Sequence, residues 1–111
     1  MLDICLSICQ AWNQACAQMA KANHKHYLVL LQRLRSVELS SITDHKICIS
    51  AETAKGYHVL IKESGFYTCN CASFEYTRKE EDGRGFPCKH ICVVASHAAR
   101  YLYKKEYSHE E

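Results

Sequence analysis

The sequence predicts a small α+β domain, in which a hairpin of two helices precedes an antiparallel hairpin sheet and a C-terminal helix. Three observations predict it. Apolar residues recur every three or four positions near both ends of the chain, apolar and polar residues alternate in the middle, and two short pairs of cysteine and histidine residues follow that alternation. The chain has 111 residues, which suits one domain with a modest core.

The first predicted helix spans residues 2–21, at the start of a helical extension predicted for residues 1–45. Its apolar stripe consists of Cys5, Cys9, Trp12, Cys16 and Met19. Asp3 suits the positive end of the helix. The cysteines of the stripe leave three interpretations open: small core residues, a second metal or redox site, or a surface that docks on a partner.

A second helix is predicted from about Tyr27 to Arg35, with Tyr27, Leu30, Leu31 and Leu34 on one side. The polar residues 23–26 are predicted to break the pattern between the two helices. His24 and His26 lie within this break, and we expect them to be exposed to solvent because no cysteine is near enough to share a metal with them.

Alternation of apolar and polar residues predicts two strands, one around Ile47 and Ile49 and one over residues 57–61. Gly65 allows a tight turn, and a third strand follows over residues 66–69. Residues 37–43 fit either a strand or a loop.

Two pairs of residues with metal-binding side chains follow. Cys69 and Cys71 are two apart in an extended segment, so both side chains lie on one face. Cys88 and His90 cannot converge from the middle of one helix, because residues two apart are about 200° apart around it. Since Pro87 is suited to a helix entry, Cys88 is placed in the turn before a helix and His90 in its first turn. Three thiolates and one imidazole form the closed shell of a structural Zn²⁺ ion, so the fold class is a small zinc-stabilised domain.

The pattern C-x-C, a variable spacer and C-x-H, with Phe74 after the first pair, resembles the SWIM-type zinc finger. The resemblance covers residues 46–101 and implies that Cys69, Cys71, Cys88 and His90 bind one structural zinc. It departs from many family members at Ala72, where they have proline. Phe74 is expected to pack beneath the metal. The finger is predicted to occupy residues 46–105.

Composition bears on three other classes of protein: secreted, membrane-associated and nucleic-acid-binding proteins. Eight cysteines without a signal-peptide pattern indicate a reducing, intracellular compartment, nuclear in a eukaryote or cytoplasmic in a prokaryote. The longest apolar run is too short to span a bilayer, so no membrane association is expected. The formal net charge of +2 gives no independent sign of a nucleic-acid binder, so any basic surface must be local.

The final helix is predicted to carry an apolar stripe formed by Ile91, Val94, Ala95, Ala98 and Leu102. Lys89, Arg100 and Lys104 lie on the other side and are the candidate nucleic-acid contacts, although the same pattern is typical of a solvated helix face. The spacer of residues 72–86 is predicted to be a solvated loop, and residues 106–111 an acidic tail.

The resemblance implies a non-enzymatic module that mediates protein or DNA interaction. The chain is most similar to small stand-alone members that assist homologous recombination and DNA repair. It is therefore expected to bind a protein partner, a recombinase paralogue, through its N-terminal helices, with DNA as a further partner and no small-molecule substrate. The alternative is a direct nucleic-acid-binding finger of transposase or regulatory origin. A thiol enzyme or redox switch using Cys5, Cys9 or Cys92 is disfavoured, since none adjoins a convincing base.

Overall fold

The computed structural model describes residues 1–80 and 86–107, which form four helices and four strands. The helices are α1 (Leu2–Ala22), α2 (His24–Arg35), α3 (Ala72–Glu80) and α4 (Lys89–Tyr107). The strands are β1 (Leu39–Asp44), β2 (Cys48–Thr53), β3 (His58–Lys62) and β4 (Tyr67–Cys69). None of the helices in these ranges has the length and apolarity that a bilayer span requires.

The first helix confirms the prediction for residues 2–21 and packs against α4. Cys5 and Trp12 of the predicted stripe are buried, and so is Ile8, which the stripe had omitted. Cys9 and Cys16 are only half-buried. The face of α1 that includes Cys5 therefore belongs to the core of this chain.

The break between the first two helices is shorter than predicted. Only Asn23 is extended, with φ −156° and ψ 95°, and α2 begins at His24 rather than near Tyr27. The Asn23 side chain accepts a hydrogen bond from the His26 N–H at 3.2 Å, which is the usual role of asparagine at a helix N-cap. One capping residue is thus enough to turn the chain. Both His24 and His26 are exposed, as expected.

The sheet is an antiparallel meander in the order β1-β2-β3-β4. It has four strands where three were predicted, because residues 37–43, left open in the sequence, contribute β1. This strand has no buried residue, so an alternation of apolar and polar residues could not predict it. Gly65 adopts φ 101° at the turn before β4, as predicted.

The core lies between one face of the sheet and α4. The buried residues of β2 and β3 are Ile49, Ala51, Thr53, Val59 and Ile61, at alternate positions. Four predicted stripe residues of α4 are buried, and Leu102 is half-buried. The helix α4 therefore packs against both the sheet and α1, which hold it on two sides.

The spacer after the first cysteine pair was predicted to be a loop, but residues 72–80 form α3. Its start is fixed by Cys71, as described below. Residues 81–85 of the spacer lie outside the described residues. So do residues 108–111 of the predicted acidic tail, while α4 continues through Tyr107. The boundaries at residues 45 and 105 remain predictions.

Candidate metal centre

Four side chains from separate parts of the chain meet at one end of the sheet. Cys69 ends β4, Cys71 precedes α3, Cys88 precedes α4, and His90 lies in the first turn of α4, as predicted. Their potential ligand atoms all lie within 4.8 Å of one another. The four residues are between 2% and 7% exposed. In the part of the chain that the structure describes, this is the one such cluster found.

The distances fit one tetrahedral zinc ion. His90 Nδ1 lies 3.7 Å from the Sγ atom of Cys69 and 3.7 Å from that of Cys88. Zinc bonds of about 2.3 Å to sulfur and 2.0–2.1 Å to nitrogen give a tetrahedral N···S edge of about 3.6 Å. Nδ1 is therefore the histidine atom placed to join the thiols. With four protein donors the shell is closed, so the ion would have a structural role.

Each of the three thiols accepts a hydrogen bond from a backbone N–H. Cys71 donates to Cys69, Phe74 donates to Cys71 at 3.4 Å, and Ile91 donates to Cys88. Such bonds favour the thiolate form that binds metal. The last two have a further consequence, because both acceptors occupy helix N-cap positions.

Cys71 and Cys88 thus cap α3 and α4 with their side chains. In each case the donor is the third residue of the helix, and a carbonyl of the same cysteine starts the helical bonding, to the N–H of Glu75 and of Cys92. The positive end of each helix dipole faces a thiol, which stabilises negative charge there. Helix formation and metal binding therefore favour each other.

The three thiols do not ionise independently. A hydrogen bond from the Cys88 thiol lowers the pKa of Cys69 to about 5, and the same bond raises the pKa of Cys88. Burial raises the pKa of Cys71. Without a cation, one thiolate is stabilised at the expense of the others. A divalent ion removes this conflict, because it stabilises all three thiolates together.

Neighbouring side chains hold the ligands in place. Asn70 lies between the first two, and its Oδ1 accepts a hydrogen bond from the His58 N–H at 2.8 Å, which ties the ligand turn to β3. The ring of Tyr57 lies 4.6 Å from that of His90, measured between centroids. Phe74 is 1% exposed and donates its backbone N–H to Cys71, while the packing of its ring beneath the metal remains a prediction.

The N-terminal helix also reaches the centre, which the sequence did not indicate. Trp12 Nε1 donates a buried hydrogen bond of 2.9 Å to the carbonyl of Pro87, the residue before Cys88. Its ring lies 5.5 Å from that of Phe86. A lone tryptophan on an apolar stripe gives no sign of such a contact, because its partner is 75 residues away.

The cysteine stripe of α1 does not form a second metal cluster in the described residues. Burial is the main cause that raises the pKa of Cys5 to about 11 and that of Cys92 to about 12. Burial also raises the pKa of Cys9 and of Cys16. These thiols are thus mostly protonated near neutral pH, which suits core residues rather than nucleophiles.

The structure separates the three predicted nucleic-acid contacts into two places. Lys89 is half-buried beside the cluster, while Arg100 and Lys104 are exposed on the second half of α4. Arg100 lies eleven positions after Lys89, or about 16 Å along the helix axis. Arg100 lies near α1, where its charge favours the thiolate of Cys9.

The closed shell of three thiols and an imidazole makes this protein a zinc-binding module. Residues 57–99 match the family model of the SWIM zinc finger, so this segment is a SWIM zinc finger. The match begins just before β3, ends within α4 and covers less than half of the chain; α1, α2, β1 and β2 lie outside it. No curated protein and no solved structure matches the chain. A SWIM finger is a module for binding protein or DNA.

Proposed function

We propose that this protein is a non-enzymatic accessory factor in homologous recombination and DNA repair, which pairs with a recombinase paralogue and contacts DNA. The observation that carries this proposal is the closed, buried donor set, since it leaves no ligand position for a catalytic water and gives the metal a structural role. The resemblance to small stand-alone SWIM proteins supports the proposed role in homologous recombination and DNA repair. All eight cysteines are free, which fits an intracellular, reducing compartment, nuclear or cytoplasmic according to the organism.

The second helix is the surface that best suits a protein partner. It has no buried residue, in contrast to α1. Leu28 is 50% exposed and Val29 is 44% exposed. Leu28 and Val29 are adjacent, so they expose a continuous aliphatic surface that a partner would cover. The predicted partner contact through the N-terminal helices is therefore assigned to α2.

Co-expression with recombinase paralogues of the same organism tests this assignment. The Leu28→Asp variant is expected to abolish co-purification, because a charge would be buried at the interface. Leu6→Asp is a matched control, since Leu6 is 48% exposed on α1, and this variant is expected to keep the partner. A wild-type chain that stays strictly monomeric with every paralogue contradicts the proposal.

Contact with DNA is assigned to Arg100 and Lys104, which are exposed and one helical turn apart. Charge reversal of both is expected to weaken binding to duplex DNA and to reduce its dependence on salt, while reversal at Lys46, which is exposed in the turn between β1 and β2, is the control. Strong DNA binding with no partner would favour the second candidate, a nucleic-acid-binding finger of transposase or regulatory origin. The exposed basic residues of α4 favour that candidate.

A further inference from the structure

A groove of about 390 Å³ opens beside the zinc-site cluster, between α2 and the first turn of α4. Three aromatic residues, Trp12, Tyr57 and Phe86, line it, and so do two cations, Arg33 and Lys89. No carboxylate is among its described lining residues. The groove is thus aromatic and positively charged at once.

The aromatic walls are fixed in place. Phe86 is 38% exposed, and its ring lies 5.5 Å from that of Trp12, which is anchored to the Pro87 carbonyl. On another wall, Tyr57 packs on the ring of His90. Rigid aromatic side chains lose little entropy when a flat ligand stacks on them. The exposed part of Phe86 therefore offers a preformed stacking platform.

The charges of the groove remain favourable to an anion when zinc is bound. Three thiolates and one Zn²⁺ ion leave one net negative charge on the centre. Arg33 and Lys89 supply two positive charges, so one positive charge remains. An adjoining cavity of about 290 Å³ shares Tyr57, Lys89 and His90 with the groove. It adds Lys55 and Glu38, whose charges offset each other.

We propose that this groove binds single-stranded nucleic acid, with an unstacked base on Phe86 and an adjacent phosphate on Lys89 and Arg33. This inference rests on the proposed function and names its nucleic-acid ligand. A base within a duplex has both faces covered by its neighbours, so an aromatic platform selects single strands. Single-stranded DNA and single-stranded RNA both offer unstacked bases and phosphates, and the experiment below distinguishes them.

The test uses the zinc-loaded full chain and fluorescence anisotropy at several salt concentrations. The probes are an oligothymidylate and an oligouridylate of about 12 nucleotides, together with a DNA duplex of equal length. Tighter binding of a single strand than of the duplex is expected. The preferred single strand then identifies the source as DNA or RNA.

Two sets of variants locate the contact. Phe86→Leu keeps an apolar contact with Trp12 but removes the π face, so affinity is expected to fall about 5- to 150-fold. Lys89→Gln and Arg33→Gln are each expected to lower the slope of log affinity against log salt by about 0.7. Tyr101→Leu is the aromatic control, because Tyr101 is 57% exposed further along α4. Zinc content and melting are measured for every variant to separate binding from folding.

The outcomes separate this inference from the proposed function. If single strands bind but the groove variants bind like wild type, the groove is excluded as the binding site. Binding that depends only on Arg100 and Lys104 then leaves the proposed function standing. If no single strand binds while a recombinase paralogue does, the inference also fails and the partner assignment survives. Equal affinity for the duplex and the single strands contradicts the proposed selectivity.

Discussion

Replacement of Trp12 by phenylalanine tests whether the N-terminal helix is part of the zinc-binding unit. The change removes the indole N–H that donates 2.9 Å to the Pro87 carbonyl, in a contact that is buried. A buried acceptor left without a partner costs about 1–3 kcal/mol. We therefore expect the zinc-loaded protein to lose about 2 kcal/mol of unfolding free energy.

The same loss should appear in zinc affinity. If the site does not exist in the unfolded chain, the free energy of metal binding is also free energy of folding. A loss of about 2 kcal/mol then corresponds to an apparent zinc affinity about 30-fold weaker. The hydrogen bond that is lost ends on Pro87, so this effect is transmitted through the residue before Cys88.

The assay is competition for zinc with a chromophoric chelator at fixed pH, combined with denaturant unfolding of the loaded protein. Leu6→Ala is the control, because Leu6 is 48% exposed on the same helix and should change neither quantity. An apparent zinc affinity within twofold of wild type for Trp12→Phe would refute the reasoning, since α1 would then fold apart from the metal centre.

Three further predictions concern the core, the pH dependence and one turn. Phe74→Ala should lower the unfolding free energy by about 3–5 kcal/mol in denaturant, because the ring is 1% exposed; a loss below about 1 kcal/mol would contradict the packing. Burial raises the pKa of Cys5 from 9.0 to about 11. The unfolded chain therefore loses this proton first, and stability should fall as pH rises between these values, by at most about 1.4 kcal/mol per pH unit; an unchanged slope in Cys5→Ala would exclude that thiol. Gly56 has φ 90° with nothing within 4 Å of an added Cβ, so Gly56→Ala should lower the unfolding free energy by its conformational cost alone, about 1–2 kcal/mol. Gly56→Asn should lower it by less, and thermal melting compares the two. Equal thermal midpoints for the two variants would contradict this conformational explanation.

The metal centre was the most predictable part of the molecule. The spacing of Cys69 and Cys71 is visible in the sequence, and Pro87 places Cys88 at a helix entry. These are local rules, in which neighbouring residues fix the direction of a side chain. The apolar stripe of α4 was predictable for a related reason, since its period of three to four residues matches the face that packs on the sheet.

The elements that the sequence did not reveal depend on contacts from elsewhere in the chain. Strand β1 buries no residue and is fixed by pairing with β2. Helix α3 begins where the side chain of Cys71 caps it, but a cysteine is not an expected cap in a sequence. The contact between Trp12 and Pro87 joins distant residues, and no local pattern encodes it.

The most direct test of the central claim is the zinc content of the freshly purified full chain, measured by elemental analysis together with its native mass. One zinc per chain is predicted, and Cys88→Ser should lose both the metal and the folded structure. Cys16→Ser is the control, because Cys16 is half-buried on α1 and joins no metal cluster among the residues that the structure describes, and it should keep the zinc. A wild-type chain that is folded without any metal would contradict the assignment of Cys69, Cys71, Cys88 and His90 as a structural zinc site.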